Sequence, residues 1–314
     1  LSNDARLSDE RPDLAQLRAR VEAAWSAWQD SARRYSEVSA LLPDLVADVQ
    51  RIPHAFRSEE ETSSRRQAHR IAADMYFLLR TFTKRIGRVD LSLLVADRGL
   101  RAAQDADDPL RIAAARWNLG HVLLAQDEPE AAEDVSVHAT EDLRAELSHE
   151  DQAGAAMQGA LWFVAIAGAV RAGDAWGARD RLREKAWPAA RQVGDGNVMW
   201  TAFGPTNVGL HAVSVEMEAG EAAEALRLAD DVDPSRSASI ERRTTFALEV
   251  ARAYEQRHDD AGAFVHLLNA EATGPEDVRY NILARDLVRG LMKRARPTYA
   301  SQVSALAGRI GLVG

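Results

Sequence analysis

Eight side chains in this sequence combine residue type and spacing in a way that could recognise a ligand: Trp117, His121, Phe163, Trp200, Phe203, Asn207, His211 and Arg252. Trp117 and His121 stand four apart, as do Asn207 and His211, so each pair shares one face of a helix. Phe163 with Ala167, and Glu249 with Arg252, keep the same three-to-four spacing on neighbouring helices. Aromatic, imidazole, amide and ionic groups converging on a groove suit a small organic molecule or a short peptide. The competing reading for Trp117, Trp162 and Phe163 is plain core packing, the commonest fate of large aromatics on helices. Trp200 to His211 (WTAFGPTNVGLH) is the least regular stretch. Pro205 removes a helical hydrogen bond and clashes with the preceding turn, so a helix must start there or bend sharply. Such a break is either a ligand site lined by aromatics and amides, or a structural kink.

Covalent and metal chemistry find no support in the text. There is no Gly-rich phosphate loop, no GxSxG elbow and no HExxH, and His149-Glu150-Asp151 lacks a second imidazole. With no cysteine, thiolate metal sites, a Cys nucleophile and disulfides are excluded together, which fits a reducing cytoplasm. The sequence therefore predicts a non-enzymatic protein without a cofactor. Acidic runs such as Glu59-Glu60-Glu61 and Asp105 to Asp108 fall at expected helix starts, where carboxylates offset the helix dipole. Basic groups at Arg65, Arg66 and Arg70, and at Lys293, Arg294 and Arg296, read as solvated faces.

The elements that must carry these groups are helices. Ala, Arg, Leu, Glu and Asp dominate and aromatics make up 6%, a mixture that favours helix over sheet. Residues 1–12 read as a disordered lead-in. Asp13 can cap a long helix to about Arg34, with Leu14, Leu17, Val21, Ala24, Trp25 and Trp28 forming one buried stripe. A second helix follows from about Ser36, with Pro43 kinking it or moving its start. Residues 51–62 read as a connection, in which Ser58 and Glu61 have capping-box spacing. Residues 13–62 thus form an N-terminal helical pair.

From residue 63 to 296 the chain repeats a helix, a tight turn and a returning helix. The turns fall at Asp127-Glu128, Gly173-Asp174, Gly220-Glu221 and His258-Asp259, each followed by a small residue at Ala132, Ala178, Ala225 and Ala263; Ala96 is a weaker first member. These alanines lie 36, 46, 47 and 38 residues apart, at or beyond the roughly 34 of a tetratricopeptide (TPR) unit. Two antiparallel helices approach closely only where the contact carries no bulk, and each pair leaves an apolar face for the next to cover. The expected fold is all-α: a TPR-like helical-hairpin superhelix, or α-solenoid, with a concave groove. Asp108-Pro109, Asp233-Pro234 and Gly274-Pro275 mark boundaries. A helix from about Pro275 to Arg294 and a capping helix within 297–314 close the chain.

A net charge of -9 repels a phosphate backbone, so direct nucleic-acid binding is not expected. The longest apolar run, Leu161 to Val170, is half of what a bilayer span needs and reads as one buried helix, so no membrane is expected. No secretory signal opens the sequence, and the expected location is cytoplasmic.

Five segments carry a family likeness: Tyr35–Leu45 (YSEVSALLPDL), Gly87–Arg98 (GRVDLSLLVADR), Phe203–His211 (FGPTNVGLH), Gly220–Ala229 (GEAAEALRLA) and Val278–Arg289 (VRYNILARDLVR). In order and spacing they resemble the TPR-like C-terminal regions of actinobacterial helix-turn-helix (XRE-type) transcription regulators, over roughly residues 35–295. The resemblance implies a regulatory module that senses a small molecule or short peptide, or that mediates assembly, for instance as a homodimer. In such regulators a DNA-binding domain precedes the repeats. Residues 1–12 hold no helix-turn-helix pattern, so DNA contact is expected only through a domain absent from this chain.

Overall fold

The computed structural model of the chain describes residues 13–55, 62–146, 148 and 151–312. It is all-helical, with no strand among the described residues. The first hairpin is α1 (Leu14–Asp30) and α2 (Arg34–Ala55). Next come α3 (Thr62–Arg85), α4 (Val89–Asp105), α5 (Pro109–Ala125) and α6 (Pro129–Glu146). The long apolar α7 (Gln152–Arg171) is followed by α8 (Ala175–Arg181), which runs through a π turn (Leu182–Ala186) into α9 (Trp187–Val193). Then follow α10 (Pro205–Glu218), α11 (Ala222–Ala229), α12 (Ile240–Gln256) and α13 (Asp260–Thr273). The last three are α14 (Pro275–Tyr280), α15 (Ile282–Arg294) and α16 (Ala300–Arg309).

Side chains start these helices where the sequence offers caps. Asp13 accepts from the backbone N–H groups of Ala15 and Gln16 at 2.9 and 3.1 Å, and Asp108, ahead of Pro109, accepts from Arg111. Each such cap is worth about 1 kcal/mol. The ends share one device. Gly87, Asp107, Asp127, Gly173, Gly220 and His258 all have φ between 51° and 91°. A left-handed residue lets the next N–H reach back five residues, as Asp174 does to Ala169 at 2.8 Å and Glu221 to Glu216 at 2.8 Å. The four turns expected from sequence are among these six. The alanines that follow are sealed in the contacts, with Ala132, Ala178, Ala225 and Ala263 at 0% exposure and Ala96 at 4%.

The first helices of the pairs pack on one another in order: α1 on α3, α3 on α5, α5 on α7, α7 on α10 and α10 on α12. The last of them then touches the first, since α12 also contacts α1. Polar bonds fasten this junction. Arg34, fully buried, pairs with Glu241 on α12 at 3.2 Å and with Asp277 on α14, while Glu276 accepts from the backbone N–H of Tyr35 at 2.7 Å. The Arg34 guanidinium also lies over the Trp28 ring, 4.1 Å from its centroid. The first helices thus run round a central space.

Several boundaries differ from expectation. α1 ends at Asp30 rather than Arg34; α2 starts at Arg34 and continues through Pro43 as far as Ala55. The single helix expected over 275–294 is two, because Asn281 leaves helical geometry (ψ 125°) and caps the second through Ala284. Of the two long central spacings, that from Ala132 to Ala178 spans the long α6 and α7, whereas that from Ala178 to Ala225 takes in the π turn and the stretch 194–204, which holds only the 3-10 turn Val198–Trp200. The lead-in 1–12, the Ser58/Glu61 capping box, Glu59-Glu60-Glu61 and His149-Glu150 lie outside the described residues. One helix, α7, is long and apolar enough to cross a membrane, but 72% of that window is buried inside the protein, as a core helix would be.

Candidate functional site

The central space is a cavity of about 440 Å³, within the range of small-molecule sites. Six helices contribute to it, and each does so from the first helix of its pair: Trp25, Trp28 and Gln29 on α1; Arg80, Lys84 and Arg85 on α3; Trp117 and His121 on α5; Phe163 and Arg171 on α7; His211 and Ser214 on α10; Glu241, Arg242 and Glu249 on α12. Spacings of three, four, seven or eight place most of each set on one helix face.

Stacked indoles form part of the wall. Trp25 and Trp200 lie face to face, with centroids 5.2 Å apart and planes 4° from parallel. Trp200 reaches that position through a strained backbone: Met199, Trp200 and Ala202 have φ of 49°, 63° and 53°, at a cost of about 1–3 kcal/mol each. The strain is held by Asn197, which accepts from the Ala202 N–H at 3.0 Å, and by Gln29, whose amide donates to the Trp200 carbonyl at 3.0 Å. Lys84, Arg85, Ala125, Thr245 and Asn281 also line an adjoining hollow of about 780 Å³, to which the exposed Ile86, Tyr280 and Ile282 contribute.

The walls are aromatic. His121 meets the Trp117 ring edge-on at 4.4 Å, and His211 stacks on Phe163 at 3.9 Å, 18° from parallel. Both imidazoles titrate well below their ordinary value, through burial first and then the surrounding cations, so both are neutral at pH 7. No hydrogen bond reaches His211 Nε2 or Gln29 Oε1, although both atoms are buried.

Charge is distributed unevenly around the cavity. Glu241 is neutralised by Arg34 and Arg85. Burial drives Glu249 up to about 7 against the hydrogen bonds it accepts from Ser214 at 2.7 and 2.8 Å. Lys84 is pushed well below the usual amine range by burial and by Arg85, Arg80, Arg242 and Arg171. Burial also lowers Arg80 to about 9 and Arg85 to about 10. Arg80 donates to the Asn118 amide oxygen at 2.6 Å through Nε and stands 5.5 Å from the Trp117 ring centroid. Arg171 donates to the Leu124 carbonyl at 3.1 Å.

Of the eight residues singled out from sequence, Trp117, His121, Phe163, Trp200 and His211 line this cavity. Phe203, Asn207 and Arg252 do not. Phe203 is 1% exposed and fills the space over Gly159, where a Cβ would lie 1.9 Å from its ring. Asn207, one turn before His211, is packed inside at 1% exposure with neither amide atom hydrogen-bonded. Arg252 follows Glu249 by three residues but is not part of the lining. Pro205 begins α10, with Gly204 extended in front of it. Sequence reasoning missed Trp25, Trp28 and Gln29, because nothing local says that the first hairpin closes against α12. It also missed Arg80, Lys84, Arg171 and Arg242. The available signal was a pair of basic residues four apart, Arg80 and Lys84, on a helix face otherwise apolar.

These groups can bind, by stacking, hydrogen bonding and charge. Among the described residues no three His, Asp or Glu side chains come together as a metal site. Compared with models of known protein families and with curated proteins, the sequence matches none of them.

Proposed function

We propose that the chain is a TPR-like superhelix acting as the sensing region of a transcription regulator, which takes a small molecule or a short peptide into its central cavity. The observation that carries this reading is the lining: a space of about 440 Å³ to which six successive first helices contribute, walled by five aromatic rings and two neutral imidazoles from α1, α5, α7, α10 and the turn at Trp200. Neighbouring repeats share their interfaces, so a ligand that touches all of them couples to the pitch of the whole array. The regulatory role comes from the family likeness of segments 35–45, 87–98, 203–211, 220–229 and 278–289.

Thermal melting tests it. Metabolite and peptide fractions of the source cell are added to the chain, and one that binds at 100 times its Kd adds about 2.7 kcal/mol. The gain should disappear in Trp117→Leu. Absence of any stabilising fraction would sink the sensor reading. A second reading, an interaction or dimerisation module without a small ligand, draws on the exposed Leu91, Leu93 and Leu94 on α4. Recovery of one partner at fixed stoichiometry, indifferent to those fractions, would favour it.

A further inference from the structure

The sign of the cavity is opposite to that of the chain. The whole sequence carries -9, yet Arg80, Lys84, Arg171 and Arg242 gather around one small volume. Among the described residues none of these four forms an ion pair, whereas the neighbouring Arg34 and Arg85 are matched by Glu241 and Asp277. Three carboxylates line the same space against five cations, Arg85 included: Glu241 is engaged by the arginines, Glu218 is exposed, and Glu249 shares a proton with solvent near neutrality because of its burial. Like charges held together in a poorly hydrated space repel strongly, and a fold tolerates that when a counter-charge is meant to complete it.

Two further observations point into the same space. Gln29 Oε1 and His211 Nε2, on residues 6% and 7% exposed, line the cavity without a hydrogen-bond partner. Buried polar atoms are seldom left so, and each offers a ligand a site for one hydrogen bond. Around them the Trp28, Trp117 and Phe163 rings supply flat apolar walls.

We propose that the cavity receives an amphipathic organic anion: a flat apolar body held between the aromatic walls, carrying one oxyanion group that Lys84, Arg80 and Arg242 neutralise. This deepens the sensor reading and rests on it. The oxyanion sits beside the α3 cations, toward the adjoining hollow to which Tyr280 and Ile282 contribute, and the apolar body extends toward the Trp25–Trp200 stack. The depressed Lys84 amine agrees with a site waiting for its counter-ion, since an anion at contact distance favours the ammonium.

The test compares two probes that differ only in charge, 2-naphthoate and its neutral isostere 2-naphthamide, by isothermal titration of the whole chain. One naphthoate should bind per chain, at least about tenfold more tightly than the amide, as expected for a charge-assisted hydrogen bond in a buried site. In Lys84→Met the two affinities should converge through loss of naphthoate binding alone. Amide binding, unchanged, then reports that the cavity is intact. Arg242→Gln carries the same comparison should Lys84→Met fail to fold. Equal binding of both probes, unaltered by either variant, overturns the anion proposal and leaves a ligand cavity of neutral preference. Binding of neither probe at millimolar concentration also overturns it, and the extract melting experiment then decides separately whether the sensor reading survives.

Discussion

Replacing Glu249 with Gln should stabilise the protein increasingly as pH rises from 5, with the gain levelling off above about 7. Glu249 lies on the cavity wall, accepts hydrogen bonds from Ser214, and is driven by burial from 4.5 up to about 7. A carboxyl whose folded value is raised binds its proton more tightly when folded, so its contribution is fully present below 4.5 and is lost as pH rises through 7. The interval is about 2.5 pH units, and at about 1.36 kcal/mol per unit it sets a ceiling of about 3 kcal/mol. The neutral amide has the same shape, can still accept from Ser214, and never ionises. Urea denaturation of both proteins at pH 5, 6, 7 and 8 reads the difference, and groups common to both cancel. The variant should gain progressively on the wild type between pH 5 and pH 8, by up to about 3 kcal/mol. A stability difference that stays flat across that range would refute the assignment of a buried, proton-holding carboxyl here.

Two other substitutions probe the closure and the core. Arg34→Met removes the buried guanidinium shared by Glu241 and Asp277 and strands a carboxylate; urea midpoints should register a loss of about 3–5 kcal/mol, partly recovered by adding Asp277→Asn. A loss below about 1 kcal/mol would mean that the junction of α2 with α12 and α14 does not hold the ring together. Gly159→Ala places a methyl group where Phe203 already sits, 1.9 Å from its ring, and should cost about 1–3 kcal/mol by overpacking. Phe203→Leu in the same chain should recover part of that cost, and simple additivity in the double-mutant cycle would contradict the contact.

Local reading recovered what local physics controls. Asp13, Asp108 and Pro205 start helices because caps and proline geometry act over three or four residues. The turns at Asp127, Gly173, Gly220 and His258 were legible for the same reason: a residue that tolerates positive φ must stand where the chain reverses. Reading fell short where the outcome depended on distant partners. Asn281 divides a segment whose apolar spacing reads as one helix, and nothing in that spacing says that the first hairpin meets α12 and α14.

The candidate site divides along the same line. Residue types and helical spacing were enough to select Trp117, His121, Phe163 and His211, because periods of three and four identify a helix face from sequence alone. Which turn of that face meets open space and which meets a neighbour is a matter of packing, and it put Phe203 against Gly159 and Asn207 inside the helix layer. An all-helical chain of hairpins, with its turns and close-packed alanines, follows from residue order alone. That α12 comes round to α1 is settled by long-range packing, which brings residues from 25 to 281 into one cavity. Its charge could not be read in advance, since composition sums to -9 while proximity alone sets which charges share a space.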